Sequence, residues 1–138
     1  MSAPDRPDPE LLDRLVAAAR AARERAYAPY SRFAVGAAVL AGGRVYPGVN
    51  VENASYPQGI CAERAAVAAA VTAGERSIDA VAVVGSSEDV TPPCGGCRQV
   101  LHEFGPLMLV VAESPGGARA EWTLSELLPA AFGPRSLA

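Results

Sequence analysis

The chain has 138 residues, half of them hydrophobic, and a formal net charge of −3. That length fits one domain with its own core, and no apolar run approaches the ~20 residues a membrane span needs. The 12 Lys and Arg residues are scattered rather than gathered on one face, which disfavours a long polynucleotide as partner and suits a small neutral ligand.

The opening, MSAPDRPDPE, has no apolar segment behind a basic region, so a cytoplasmic protein without a secretory leader is expected. Residues 1–10 read as a poorly ordered extension of a single domain covering residues 1–138. Asp8 and Pro9 nevertheless carry the signals of a helix start, as cap and first-turn proline. Leu11, Leu12, Leu15, Val16 and Ala19 then recur at helical spacing, and Pro29 bounds the helix. RFAVGAAVL and RVYPGVNV, separated by AGG, predict a β-hairpin whose second strand is irregular or at an edge because of Pro47. ENASYPQG has loop composition, and CAERAAVAAAVTAG predicts a second helix closed by Gly74. IDAVAVVGSS predicts a buried strand, EDVTPPCGG a loop, and CRQVLHEF a third helix ended by Gly105. PLMLVVAES predicts another buried strand, and TLSELLPAAFGP a short last helix with an extended tail. Alternating helices and apolar strands imply an α/β fold with a mixed sheet and helices on its faces. Ligands in such sheets bind where strand ends meet helix starts.

Three cysteines remain to be explained. Cys94 and Cys97 form a C-x-x-C in PCGGC, and Cys61 opens the second helix. Two intervening residues let both sulfurs reach one metal ion, and Gly95 and Gly96 permit the tight backbone. Three thiolates leave one position of a tetrahedral Zn²⁺ open for water, the mark of a catalytic rather than a structural site. A redox pair of the thioredoxin type is the rival reading of C-x-x-C, but it leaves Cys61 and Glu63 without a role. A closed structural zinc needs a fourth protein ligand, and His102, about one and a half turns beyond Cys97, lies away from the helix start. Glu63, two residues after Cys61, is placed to take a proton from water at the open position and return it to a substrate. Zinc with three thiolates is net negative. Helix N-termini favour anions, and Arg64, one turn after Cys61, can donate to thiolate sulfur, with Arg98 a second candidate.

C-A-E followed by P-C-x-x-C resembles the zinc-dependent cytidine deaminases. YAPYSRFAVGAA, GVNVENASYPQGICAER, PCGGCRQVLHEFG and SELLPAAFGP extend the likeness from Tyr27 to Pro134, to the short, homotetrameric enzymes that act on free nucleosides. The resemblance implies a single-domain, three-layer α/β/α fold with a mixed sheet of about five strands. It implies one Zn²⁺ per subunit held by Cys61, Cys94 and Cys97, with Glu63 as the proton shuttle. It places ribose contacts on Asn50 and Glu52 and a base contact on Phe33. It assigns Ala54, Tyr56 and Phe132 to completing the site of a neighbouring subunit. The implied reaction is hydrolytic deamination of cytidine and deoxycytidine to uridine and deoxyuridine, a step of pyrimidine salvage, with no nucleic-acid polymer or membrane as partner. Deamination of another small substrate such as blasticidin S is the nearest alternative. A zinc-stabilised binding module without turnover is the alternative from another class.

Overall fold

The computed structural model describes residues 6–138. Helix α1 (Pro9–Arg23) starts where the cap and proline place it, with Asp8 accepting a hydrogen bond from the Leu11 N–H at 2.8 Å. Pro9 and Glu10 therefore belong to a helix rather than to an extension. The expectation of disorder over residues 1–5 lies outside the described residues. Strands β1 (Gly36–Ala41) and β2 (Arg44–Val49) form the hairpin, and β2 is the edge strand that Pro47 called for. The hairpin's first strand starts later than the run from Arg32 predicts, because Arg32 sits at φ 59° in a turn.

Helix α2 (Ala62–Thr72), strand β3 (Ala80–Val84), helix α3 (Gly95–Phe104) and strand β4 (Leu109–Glu113) follow in the predicted order. α3 begins two residues earlier than expected, taking in Gly95 and Gly96. Strand β5 (Arg119–Thr123) has no counterpart among the predicted elements. It precedes a four-residue helix α4 (Leu124–Leu127), and the tail ends in a 3-10 turn over Pro134–Leu137 instead of running extended. The five strands lie in the order β2-β1-β3-β4-β5, with β3 and β4 parallel and the other pairs antiparallel. The sheet is thus mixed, with helices on both faces.

Alternation along the strands builds two cores. Ala38, Leu40, Ala80, Ala82, Val84 and Val111 face α1, where Leu12, Leu15, Val16 and Ala19 pack. Val39, Ala41, Val81, Val83 and Val110 face the other way, against Ala66, Val67 and Ala70 of α2 and Leu101 of α3. Each fully buried Leu or Val contributes roughly 1.5–3 kcal/mol relative to exposure.

Two glycines set how closely the helices approach. A Cβ on Gly48 of β2 would overlap the Ala66 nitrogen and lie 2.5 Å from the Ala62 oxygen, so α2 rests directly on that backbone. A Cβ on Gly36 of β1 would meet the Ala19 oxygen and lie 2.5 Å from the Arg23 nitrogen, so α1 is seated in the same way on the opposite face.

Candidate active site

α2 and α3 both start at the end of the sheet where parallel strand β3 finishes, and each start carries a cysteine as its N-cap. Cys61 caps α2 and Cys94 caps α3, both with extended backbone. Cys97 lies on the first turn of α3. The three Sγ atoms all lie within 4.8 Å of one another, and those of Cys94 and Cys97 are 3.5 Å apart. Tetrahedral zinc with bonds of about 2.3 Å holds its sulfurs roughly 3.8 Å apart, so the cluster fits that ion closely. None of the three is in a disulfide. Cys97 is buried, Cys61 half-buried and Cys94 exposed.

Without a cation, burial pushes the Cys97 and Cys61 thiols up, with the charge of the Glu63 carboxylate adding to it. Cys94 is also pushed up by burial, but its hydrogen bonds with the Cys97 backbone and with the other two thiols hold it below the usual thiol value. A bound divalent ion overrides these upward shifts by favouring all three thiolates.

Glu63 sits on the first turn of α2 and is 5% exposed. Burial raises its carboxyl above the usual carboxylate range, and hydrogen bonds from its own N–H and from the Cys97 thiol only partly oppose this. A cavity of about 310 Å³ opens in front of it, lined among others by Asn50, Glu52, Tyr56, Cys61, Glu63, Thr91, Pro92 and Cys94. The chemistry available at its floor is proton transfer beside a soft-donor metal site.

Asn50 and Glu52 shape the cavity wall by holding the chain before β1. Asn50 Oδ1 accepts from the Val35 N–H and its Nδ2 donates to the Phe33 carbonyl, both at 2.8 Å. One Glu52 oxygen accepts from the N–H groups of Tyr30 and Ser31 at 3.0 Å each, and the other accepts from the Ser31 hydroxyl. Those bonds, the Ser31 hydroxyl first, lower the Glu52 carboxyl below its usual value.

Most of the remaining expected site residues fall elsewhere. Phe33, Ala54 and Phe132 do not line this cavity within one chain, and Tyr56 does, at 75% exposure. Tyr56 also meets Tyr30 edge-on, with ring centroids 5.9 Å apart. The Phe132 carbonyl accepts from Gln99 Nε2 at 2.8 Å, and the residue is 58% exposed. Arg64 is exposed, and among the described residues no hydrogen bond joins it to a cysteine. His102 is outside the cysteine cluster, and its ring lies against Gly133.

Sequence reasoning gave no role to Tyr30, Ser31, Thr91 or Pro92. The first two lie in YAPYS, a stretch that carried the family likeness, and the others in the loop before Pro93, which did not. Their part comes from loop packing that local pattern does not encode.

A family model described as the cytidine and deoxycytidylate deaminase zinc-binding region matches residues 9–113. The chain belongs to the cytidine and deoxycytidylate deaminase family. A cytidine deaminase of Sporosarcina psychrophila is 46% identical over 128 residues, covering 91% of this chain and 94% of its own. One from Halalkalibacterium halodurans is 49% identical over 120 residues, covering 86% and 91%. Among solved structures, a cytidine deaminase from Burkholderia pseudomallei superposes with a TM-score of 0.84 at 48% identity, covering 87% of this chain and 98% of that one. Within this deaminase family the expected fold holds, and Cys61, Cys94 and Cys97 are positioned to hold the metal ion of a zinc-binding domain.

Proposed function

We propose that the chain, working as one domain over residues 1–138, is a zinc-dependent hydrolase that converts free cytidine and deoxycytidine to uridine and deoxyuridine with release of ammonia, in pyrimidine salvage. The observation that carries this is the buried Glu63 beside three clustered cysteines, facing a cavity of nucleoside size. Zinc held by those cysteines supplies the Lewis acidity that brings a water molecule's pKa toward neutrality.

Glu63 then does the proton work. It takes a proton from the attacking water and delivers it to ring N3 as the new C–O bond forms at C4. It next carries the second proton from that oxygen to the 4-amino group, the C4–N bond breaks, and ammonia departs. Burial suits the carboxyl to holding a proton between these transfers. Asn50 keeps one N–H and one lone pair for a ribose hydroxyl, and Glu52 keeps one lone pair. Phe33 does not line the cavity within one chain, but its carbonyl is held by Asn50 and its exposed ring is the expected contact for the pyrimidine face. Arg64, exposed on the first turn of α2, offsets the cluster's negative charge through solvent rather than by a hydrogen bond.

The family likeness and the exposed apolar surface support a homotetramer. Tyr27, Tyr30, Val51, Tyr56 and Phe132 are large and open to solvent in a single chain. A homotetramer in which Ala54, Tyr56 and Phe132 complete neighbouring sites covers them. Among the described residues no helix is long and apolar enough to cross a membrane, and the reading places the enzyme in the cytoplasm.

A spectrophotometric assay on cytidine, deoxycytidine and blasticidin S in parallel, with ammonia measured, tests this. Turnover of both nucleosides and not of the antibiotic is expected. Turnover of blasticidin S alone, or bound zinc with no turnover at all, would overturn it.

A further inference from the structure

We propose that Arg98 is a positioning residue for the metal centre, fixing the backbone on both sides of Cys94. The proposal rests on Cys94 being a zinc ligand. Arg98 Nε donates to the Pro93 carbonyl at 2.7 Å, and its Nη1 donates to the Leu127 carbonyl at 2.9 Å. Its backbone N–H donates to the Cys94 carbonyl at 2.9 Å.

The Pro93 and Cys94 carbonyls belong to the two peptide planes that flank the Cys94 α-carbon. One residue therefore pins both planes, and with them φ and ψ of Cys94. Only side-chain rotation is left free to move its sulfur. The restraint matters most at this ligand, because Cys94 is the exposed member of the cluster and caps its helix without a side-chain hydrogen bond.

The Pro93 carbonyl also lacks any helical partner. The acceptors of α3 begin at its N-cap, Cys94, so the preceding carbonyl lies outside the helix ladder. Pro93 is fully buried, and an unmet carbonyl there would be costly. Leu127 ends α4, so the far end of the guanidinium is fastened to a different element, and the loop before Cys94 cannot drift without disturbing both. Among the described residues no carboxylate pairs with Arg98, so its charge is not cancelled by an ion pair.

A lysine at this position keeps the charge but not the planar fork that reaches two carbonyls at once. That separates positioning from charge. The test is zinc release from the loaded protein into a chromogenic chelator, with wild type, Arg98→Ala, Arg98→Lys and Glu113→Gln side by side. Glu113 lies on the opposite face of the sheet, so its variant controls for general destabilisation.

Arg98→Ala is expected to release zinc about ten- to a hundredfold faster, in line with other supports of metal ligands. Arg98→Lys should stay nearer to Arg98→Ala than to wild type, and Glu113→Gln should match wild type. With Co²⁺ in place of zinc, Arg98→Ala should shift the visible absorption bands, reporting changed ligand geometry. Release and cobalt spectra of Arg98→Ala equal to wild type would overturn the proposal while leaving zinc binding intact. So would full rescue by lysine, or equal acceleration in Glu113→Gln. A wild-type chain that holds no zinc would overturn the ligand reading itself. If Arg98→Ala does not fold, Arg98→Lys carries the same comparison.

Discussion

Two glutamates lie buried on opposite faces of the sheet, and they have opposite surroundings. Glu113, 8% exposed at the end of β4, accepts from Arg20 and Arg119, and Arg119 also reaches Asp13. Glu63, 5% exposed at the start of α2, is in no ion pair among the described residues and faces three sulfurs instead. Burial pushes both carboxyls up. The two arginines outweigh it at Glu113 and leave that group below the usual range, whereas Glu63 stays above it. Deeper burial without a cationic partner thus leaves a proton-holding group on the α2 and α3 face, while two arginines hold a fixed charge on the α1 face.

The largest test of that contrast is to neutralise each carboxyl. Glu63→Gln should lower kcat for cytidine by about a thousandfold, the scale of a lost general acid–base, while zinc content stays constant. Glu113→Gln should leave kcat of the folded enzyme within about twofold, since its partners are structural. Near-normal turnover by Glu63→Gln would break the comparison.

The two helix seats come next. Gly48→Ala and Gly36→Ala each force a helix off the sheet, and each should cost roughly 1–3 kcal/mol by chemical denaturation. Only Gly48→Ala moves the helix that carries Cys61 and Glu63, so only it should weaken zinc retention. Equal zinc loss in both variants would mean that the faces are not independent.

A smaller effect lies in the acid limb. The folded pKa of Glu113 is depressed, so its stabilisation is complete above the unfolded carboxylate value of about 4.3 and fades as pH falls through the folded value. Melting temperatures of wild type and Glu113→Gln should therefore differ most at neutral pH and converge below about pH 4. A constant gap across that range would remove the ion network as its cause. The smallest change is expected for Arg64→Ala. Its zinc release should differ from wild type by less than about threefold, and the difference should vanish in high salt.

Most of this arrangement was legible in the chain itself. Helical spacing, the Gly74 and Gly105 stops and the apolar runs gave α1, α2, α3, β3 and β4. The cysteine spacing, with Glu63 next to Cys61, gave the cluster. Strand β5 was not legible as a separate element, because RAEWT is a short run of mixed polarity. Its Trp122 packs inward only through pairing with Val110 of β4. The partners of the arginines were not legible either. Periodicity favours Arg64 as the neighbour of the sulfurs, yet the loop before Cys94 folds onto Arg98. That placement depends on a turn of ten residues between β3 and α3, which no helical period describes.

Asn50 and Glu52 carry one more consequence. Their side chains already bind the backbone from Tyr30 to Val35 before any ligand arrives. The wall proposed to meet a sugar is thus held in place at the outset, and little chain remains to be ordered by occupancy. Calorimetric titration of a substrate analogue should then show only a modest entropic penalty, and Asn50→Ala should enlarge it by freeing the loop.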